Sequence, residues 1–119
     1  MFINYSNHPS KKWGQKQLEC AEKYGPVTDI PFPEISPEWS DREMDQLVEQ
    51  QVEMLAKYSN ATIMVQGESV FSFRLVTALK KRGIPVVAAC SKRETTERTM
   101  EDGSTVKESV FRFVKFFYY

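Results

Sequence analysis

The chain has 119 residues, and its 16 Lys+Arg balance 16 Asp+Glu to a formal charge of zero at pH 7. Apolar residues make up 41% and charged residues 27%, the composition of one soluble globular domain. The zero balance argues against gripping duplex DNA by bulk charge, and two cysteines, Cys20 and Cys90, exclude a disulfide scaffold or a zinc site built from thiolates alone.

The first segment, Phe2-Ile3-Asn4-Tyr5, is short and apolar and reads as a strand. It breaks at Ser6-Asn7-His8-Pro9-Ser10, where Pro9 has no amide to donate to a ladder. Ser10 is the expected N-cap of a helix that carries Trp13, Gln17, Leu18, Ala21 and Tyr24 on one side. Gly25-Pro26 stops that helix. Val27 to Phe32 reads as a second strand and runs into Pro31, Pro33 and Pro37. Ser40-Asp41-Arg42-Glu43 fits a capping box, followed by Met44, Leu47, Val48, Gln51, Val52 and Leu55 at helical spacing.

Ala61 to Val65 is an unbroken apolar run, which suits a strand covered on both faces. After Gln66-Gly67-Glu68-Ser69, the residues Phe71, Leu75, Ala78 and Leu79 form a helical stripe closed by Lys80-Lys81-Arg82-Gly83. Pro85 to Cys90 reads as a fourth strand. Residues 93–119 read as a C-terminal hairpin extension turning at Asp102-Gly103, and six of the 15 aromatics lie in its last nine residues. These aromatics close the core, form a dimer surface, or do some of both. The order β-α-β-α-β-α-β plus hairpin predicts a single three-layer, Rossmann-like α/β domain. Its sheet is expected to be mostly parallel, with an antiparallel edge. No apolar run approaches the ~20 residues of a membrane span, and no signal peptide is recognised, so a cytoplasmic protein is expected.

In such sheets ligands bind beyond the carboxyl ends of the strands, near the point where strand order reverses. That rule gathers Ser6, Asn7, His8 and Ser10 from the first strand, Gln66, Gly67, Glu68 and Ser69 from the third, and Ser91, Lys92 and Arg93 from the fourth. Gly67 and Ser69 lead into a helix N-terminus, whose free amides favour phosphate, although Gly and Ser also begin helices for local reasons. No Walker or dinucleotide glycine pattern is present, which argues against an ordinary ATPase or dehydrogenase. His8, the lone histidine, is a candidate general acid or base, or a turn residue making a local bond. Lys92 and Arg93 are candidate phosphate ligands, or a solvated turn beside Glu94 and Glu97. Glu68 is a base or the salt-bridge partner of that pair. Trp13 is the candidate for stacking on a base, whereas Phe71 reads as core. One histidine and no cysteine cluster make a tight transition-metal site unexpected. Residues 1–60 carry a balance of −4 and residues 61–119 one of +4. That asymmetry supplies cations for an anionic ligand, or attraction between two copies.

The opening strand followed by Asn7-His8-Pro9-Ser10 and Trp13, with Gln66-Gly67-Glu68-Ser69 before the third helix, resembles small stand-alone accessory proteins of type III CRISPR systems. Those proteins are similar to minimal CARF (CRISPR-associated Rossmann fold) domains. The resemblance implies a homodimer that binds a cyclic oligoadenylate, such as cyclic tetra-adenylate, across its two-fold axis. It also implies ring-nuclease activity, in which an adenosine 2′-hydroxyl attacks the neighbouring phosphate with no obligatory metal or cofactor, switching off antiviral signalling. On that reading Lys92 or Arg93 stabilises charge, His8 assists proton transfer, and Ser69 with the Gly67 amides holds phosphate. Asn7 and Gln66 then meet adenine or ribose, and Ser6, Ser10, Trp13, Glu68 and Ser91 complete the site. The alternatives are a non-catalytic module that sequesters the nucleotide, and a small nucleotide hydrolase or transferase.

Overall fold

The computed structural model describes every residue from Met1 to Tyr119. Strands β1 (Phe2–Ser6), β2 (Val27–Pro31), β3 (Thr62–Gln66), β4 (Val86–Thr99) and β5 (Thr105–Tyr118) form one sheet in the order β2-β1-β3-β4-β5. The first three pairings are parallel, and β4 with β5 is antiparallel. Helices α1 (Gln15–Glu22), α2 (Asp41–Ala56) and α3 (Ser69–Lys81) alternate with the strands, so the α/β, mostly parallel reading holds.

Strand alternation divides the core into two layers. Ile3, Tyr5, Ile63, Val65 and Val86 face α2 and α3, where Val48, Val52, Leu55, Phe71, Leu75 and Leu79 meet them. Phe2, Met64 and Val87 face the other way, onto Ala21 and Leu18 of α1 together with Trp13 and Phe116. The capping box starts α2 as its sequence suggests, with Ser40 Oγ accepting from the Glu43 amide at 3.2 Å and Glu43 Oε1 accepting from the Ser40 amide at 3.3 Å. Phe116 closes the α1 layer, stacking on Phe2 at 4.9 Å, while Phe117, Tyr118 and Tyr119 stay exposed.

Three boundaries differ from the sequence reading. Ser10 begins only a three-residue 3-10 turn, Ser10–Lys12, and α1 starts after Gly14. Trp13 therefore lies between the two, at an extended residue, and not on the helix. The second strand stops at Pro31 instead of reaching Phe32. The fourth strand does not end at Cys90. It continues through Ser91, Lys92 and Arg93 to Thr99, paired throughout with β5. The hairpin expected from residue 93 onward is present, but its first arm is the continuation of the fourth strand, and the polar residues 91–93 between them carry no apolar alternation to show the join.

The result is a two-stranded ribbon that projects from the domain. A compact chain of this length has a radius of gyration of about 13–14 Å, whereas this one measures 17.6 Å with extents of 57 × 38 × 21 Å. The register slips once, between Cys90 and Ser91, leaving Val114 without an opposite residue. Such a bulge bends the strand where it leaves the core.

Tyr5 ties the central strand to α2, because its fully buried ring donates from the hydroxyl to Gln51 Oε1 at 2.7 Å. Burial holds this phenol well above its ordinary value of 10.0, so the unfolded chain ionises first as pH rises. The stabilisation is complete below about pH 10 and is lost as pH climbs toward the folded value. Urea unfolding between pH 9 and 12 is expected to show falling stability above about pH 10, with a shallower fall in Tyr5→Phe than in the wild type.

Candidate functional site

In the order β2-β1-β3-β4-β5 the chain reverses direction across the sheet between β1 and β3. These strands end side by side, with Ser6 in register with Gln66. A cleft of about 990 Å³ opens there, between the β1–α1 segment and the base of the ribbon. This is the place the strand-end rule predicts.

One wall is shaped by a buried amide. Asn4, only 1% exposed, interrupts an apolar strand. Its Nδ2 donates to the His8 carbonyl at 2.9 Å and to Asp29 Oδ1 at 3.0 Å, and its Oδ1 accepts from Ser6 Oγ at 2.6 Å. Asp29 Oδ2 in turn accepts from the Ser10 amide at 3.0 Å. Trp13 Nε1 donates to the same His8 carbonyl at 3.2 Å. The segment is thus curled back over the strand ends, fixed through its backbone.

Of the twelve residues singled out from sequence, Ser6, Asn7, His8, Trp13, Gln66, Gly67, Ser91 and Lys92 line this cleft, and Ser10, Glu68, Ser69 and Arg93 do not. Several of them have structural work of their own. Trp13 is not a free stacking platform: it is 9% exposed and packs edge-on against Phe2 at 6.2 Å. Gln66 continues the β3–β4 pairing with its side chain, Oε1 accepting from the Ala89 amide at 2.9 Å. At Gly67 a Cβ would overlap the Phe32 ring, so packing already demands glycine there.

Glu68 forms no salt bridge with Lys92 or Arg93 and stands outside the cleft. Its two carboxylate oxygens accept from the Val70 and Phe71 amides at 3.0 and 2.6 Å and cap α3. That carboxylate occupies the helix N-terminus where phosphate was expected, and Ser69 stands outside the cleft. Arg93 reaches across the ribbon to Ser109 Oγ at 3.1 Å, farther out than the cleft extends. The fourth-strand residues Ser91, Lys92 and Arg93 sit in a paired strand and not in a loop, which separates the side chains of Lys92 and Arg93 onto opposite faces.

Other residues enter the cleft that no local pattern singles out. Lys12 and Lys16 arrive from the first helical turns, and Arg112, Phe111 and Phe113 from β5. Four cations therefore line it against one carboxylate, Glu94, which accepts from Arg112 Nε at 2.6 Å. Lys12, Lys16 and Lys92 form no salt bridge. Phe113 packs on Phe116 at 4.9 Å, whereas Phe111 is 70% exposed. Chemically, the arrangement offers unpaired ammonium groups, amides and an exposed aromatic ring, which together suit a phosphate-bearing ligand with flat bases.

One family model, described as Uncharacterized protein MJ1673 family, matches residues 1–117. The chain belongs to the MJ1673 family. No curated protein and no solved structure matches it. The MJ1673 match spans the domain core and the ribbon together, so both walls of the cleft lie within the family's extent. No helix is long and apolar enough to cross a membrane.

Two substitutions test the architecture of this MJ1673-family cleft. Asn4→Ala strips donors from Asp29 and from the His8 carbonyl, at a cost of about 1–3 kcal/mol in urea unfolding. Gly67→Ala forces Phe32 to move and is expected to cost about 1–3 kcal/mol in the same measurement.

Proposed function

We propose that the cleft binds a cyclic oligoadenylate, with cyclic tetra-adenylate the first candidate, and that the protein acts in the cytoplasm in control of a type III CRISPR response. The observation that carries this reading is four cations against one carboxylate in an open cleft at the switch point of a Rossmann-like sheet. Its volume stands at the top of the ~300–1,000 Å³ range of small-ligand sites, which favours several linked nucleotides over one. The resemblance of the opening strand and turn to CARF-like accessory proteins supplies the ligand class.

Roles follow from position. Lys12, Lys16 and Lys92 meet phosphate oxygens, and Arg112 does so while held by Glu94. Phe111, in place of Trp13, is the surface for an adenine face. Asn7 contributes an amide to base or ribose edges. Capture is the primary reading, because no group is arranged to orient the His8 side chain as a general base: the bonds in this turn go to its backbone.

Cleavage is the second reading, favoured by His8 and Lys92 lining one cleft. In that reaction the 2′-oxygen of an adenosine bonds to the adjacent phosphorus and the 5′-oxygen leaves with a proton. The product is linear, with a 2′,3′-cyclic phosphate. Lys92 would bear the phosphoryl charge and His8 would move a proton. A homodimer accompanies either reading, since one rim does not surround a ring of several nucleotides.

Incubation with cyclic tri-, tetra- and hexa-adenylate in EDTA, read by chromatography and mass spectrometry, separates the readings. Intact ligand co-eluting with protein is the expected result, and a linear cyclic-phosphate product would establish cleavage instead. Lys92→Ala and Lys12→Ala are each expected to weaken binding by about tenfold or more, the loss of one charge-assisted contact. Neither binding nor cleavage of any ring would overturn the assignment.

A further inference from the structure

The outer edge of β5 has no neighbour in the sheet, although the strand runs 14 residues, Thr105–Tyr118, without a proline. Beyond the bulge, β4 and β5 pair only with each other, since β4 meets β3 no farther than Val87. Two-stranded ribbons are marginal in water, and a long unblocked edge is a template for strand addition.

The side chains on that edge specify what adds. Up to the bulge at Val114, alternate residues of β5 on one face are Val106, Glu108, Val110 and Arg112. The triplet Glu108, Val110 and Arg112 is its own complement about Val110. We propose that two copies of the chain pair β5 to β5, antiparallel, across a two-fold axis at Val110, joining their sheets into one.

In that register Val110 meets its own copy once, on the axis, and Glu108 faces the copy's Arg112 twice by symmetry. Opposite charges and β-branched pairs directly across a ladder are the stabilising combinations. The neighbouring registers fail. Moving the axis to position 109 or 111 sets both charges against valines, and moving it to 108 or 112 sets like charges face to face. On the other face the same register places Lys107 opposite Phe113 and Ser109 opposite Phe111, so no like charges meet and the exposed Phe111 ring gains a neighbour.

Within one chain Arg112 pairs with Glu94 and Glu108 with Arg98, so the interchain pairs extend an existing row of alternating charge. Because Val110 to Val114 also line the cleft, the two clefts would adjoin at the axis. The surface rests on the ribbon alone and stands without the nucleotide reading.

Sedimentation of the ligand-free full chain over a concentration series tests it. The wild type is expected to dimerise. E108R and R112E are each expected to weaken self-association by roughly tenfold or more, because like charges then meet across the axis. Mixed together, the two variants restore complementarity and are expected to form a 1:1 heterodimer. If either variant fails to fold, oxidised Val110→Cys is expected to give a covalent dimer through position 110. A wild type that stays monomeric, single variants that dimerise like the wild type, or a mixture that does not pair would each overturn the proposal. None of these outcomes depends on whether cyclic oligoadenylate binds.

Discussion

A single amide on the central strand organises the site. Phe2 to Tyr5 are buried, and three of the four are apolar. Asn4 is tolerable there only because each polar atom finds a partner, since a buried amide left unpaired costs more than most contacts return. Its partners are the carbonyl of His8, the carboxylate of Asp29 and the hydroxyl of Ser6. To supply them, the chain after β1 must fold back over the strand ends. That fold-back delivers Trp13 to the core against Phe2 and delays α1 until Gln15. It also leaves the side chains of Asn7 and His8 unspent and exposed at the cleft, while their backbone is held.

The ribbon provides the opposite wall by a different logic. Its outer half contains no apolar core. Cross-strand ion pairs such as Arg98–Glu108 at 3.4 Å and Lys107–Glu97 at 3.7 Å decorate it, and exposed pairs of this kind stabilise little. The base is different, because Phe116 is buried against Phe2 and Phe113 packs on Phe116. Stability therefore falls along the ribbon from base to tip, and the cleft lies at the well-anchored end. Asp102 at the tip accepts from the Ser104 hydroxyl and amide, which holds its carboxyl below the usual aspartate range and fixes the turn locally.

What could be read in advance was whatever rests on local pattern. The capping box at Ser40, the helical stripe from Phe71 to Leu79 and the apolar run at β3 all carry their own signal, and the structure keeps them. The differences arise where a tertiary partner takes up a residue. The Ser10 amide is bound by Asp29, Ser10 opens only a 3-10 turn, and α1 starts after Gly14. Glu68 has the chemistry of a base, but a carboxylate next to free helix amides is captured by them first. The hairpin beyond residue 93 is marked by its Asp102-Gly103 turn, but Ser91 to Arg93 reads as a loop because a two-sided solvated ribbon leaves no apolar period to join that arm to the fourth strand. Convergence was the least legible feature. The charge asymmetry between the halves pointed to cations after residue 61, yet Lys12 and Lys16 come from the other half and join only when α1 packs beside β5.

That convergence explains how a chain of zero net charge presents a strong local field. Elsewhere several cations are matched by carboxylates: Arg74 bridges Asp41 and Asp45, and Arg82 meets Glu53. In the cleft only Arg112 is so matched, and three lysines remain without a partner. Screening extinguishes an exposed field within about 8 Å at physiological ionic strength, so a distant anion sees a neutral body. A polyanion already in the cleft sees cations on both walls. Recognition on these terms depends on shape before charge, because the lysines belong to segments that only the fold brings together. The buried amide of Asn4 on one side and the anchored base of the ribbon on the other are what hold those charges at a fixed separation.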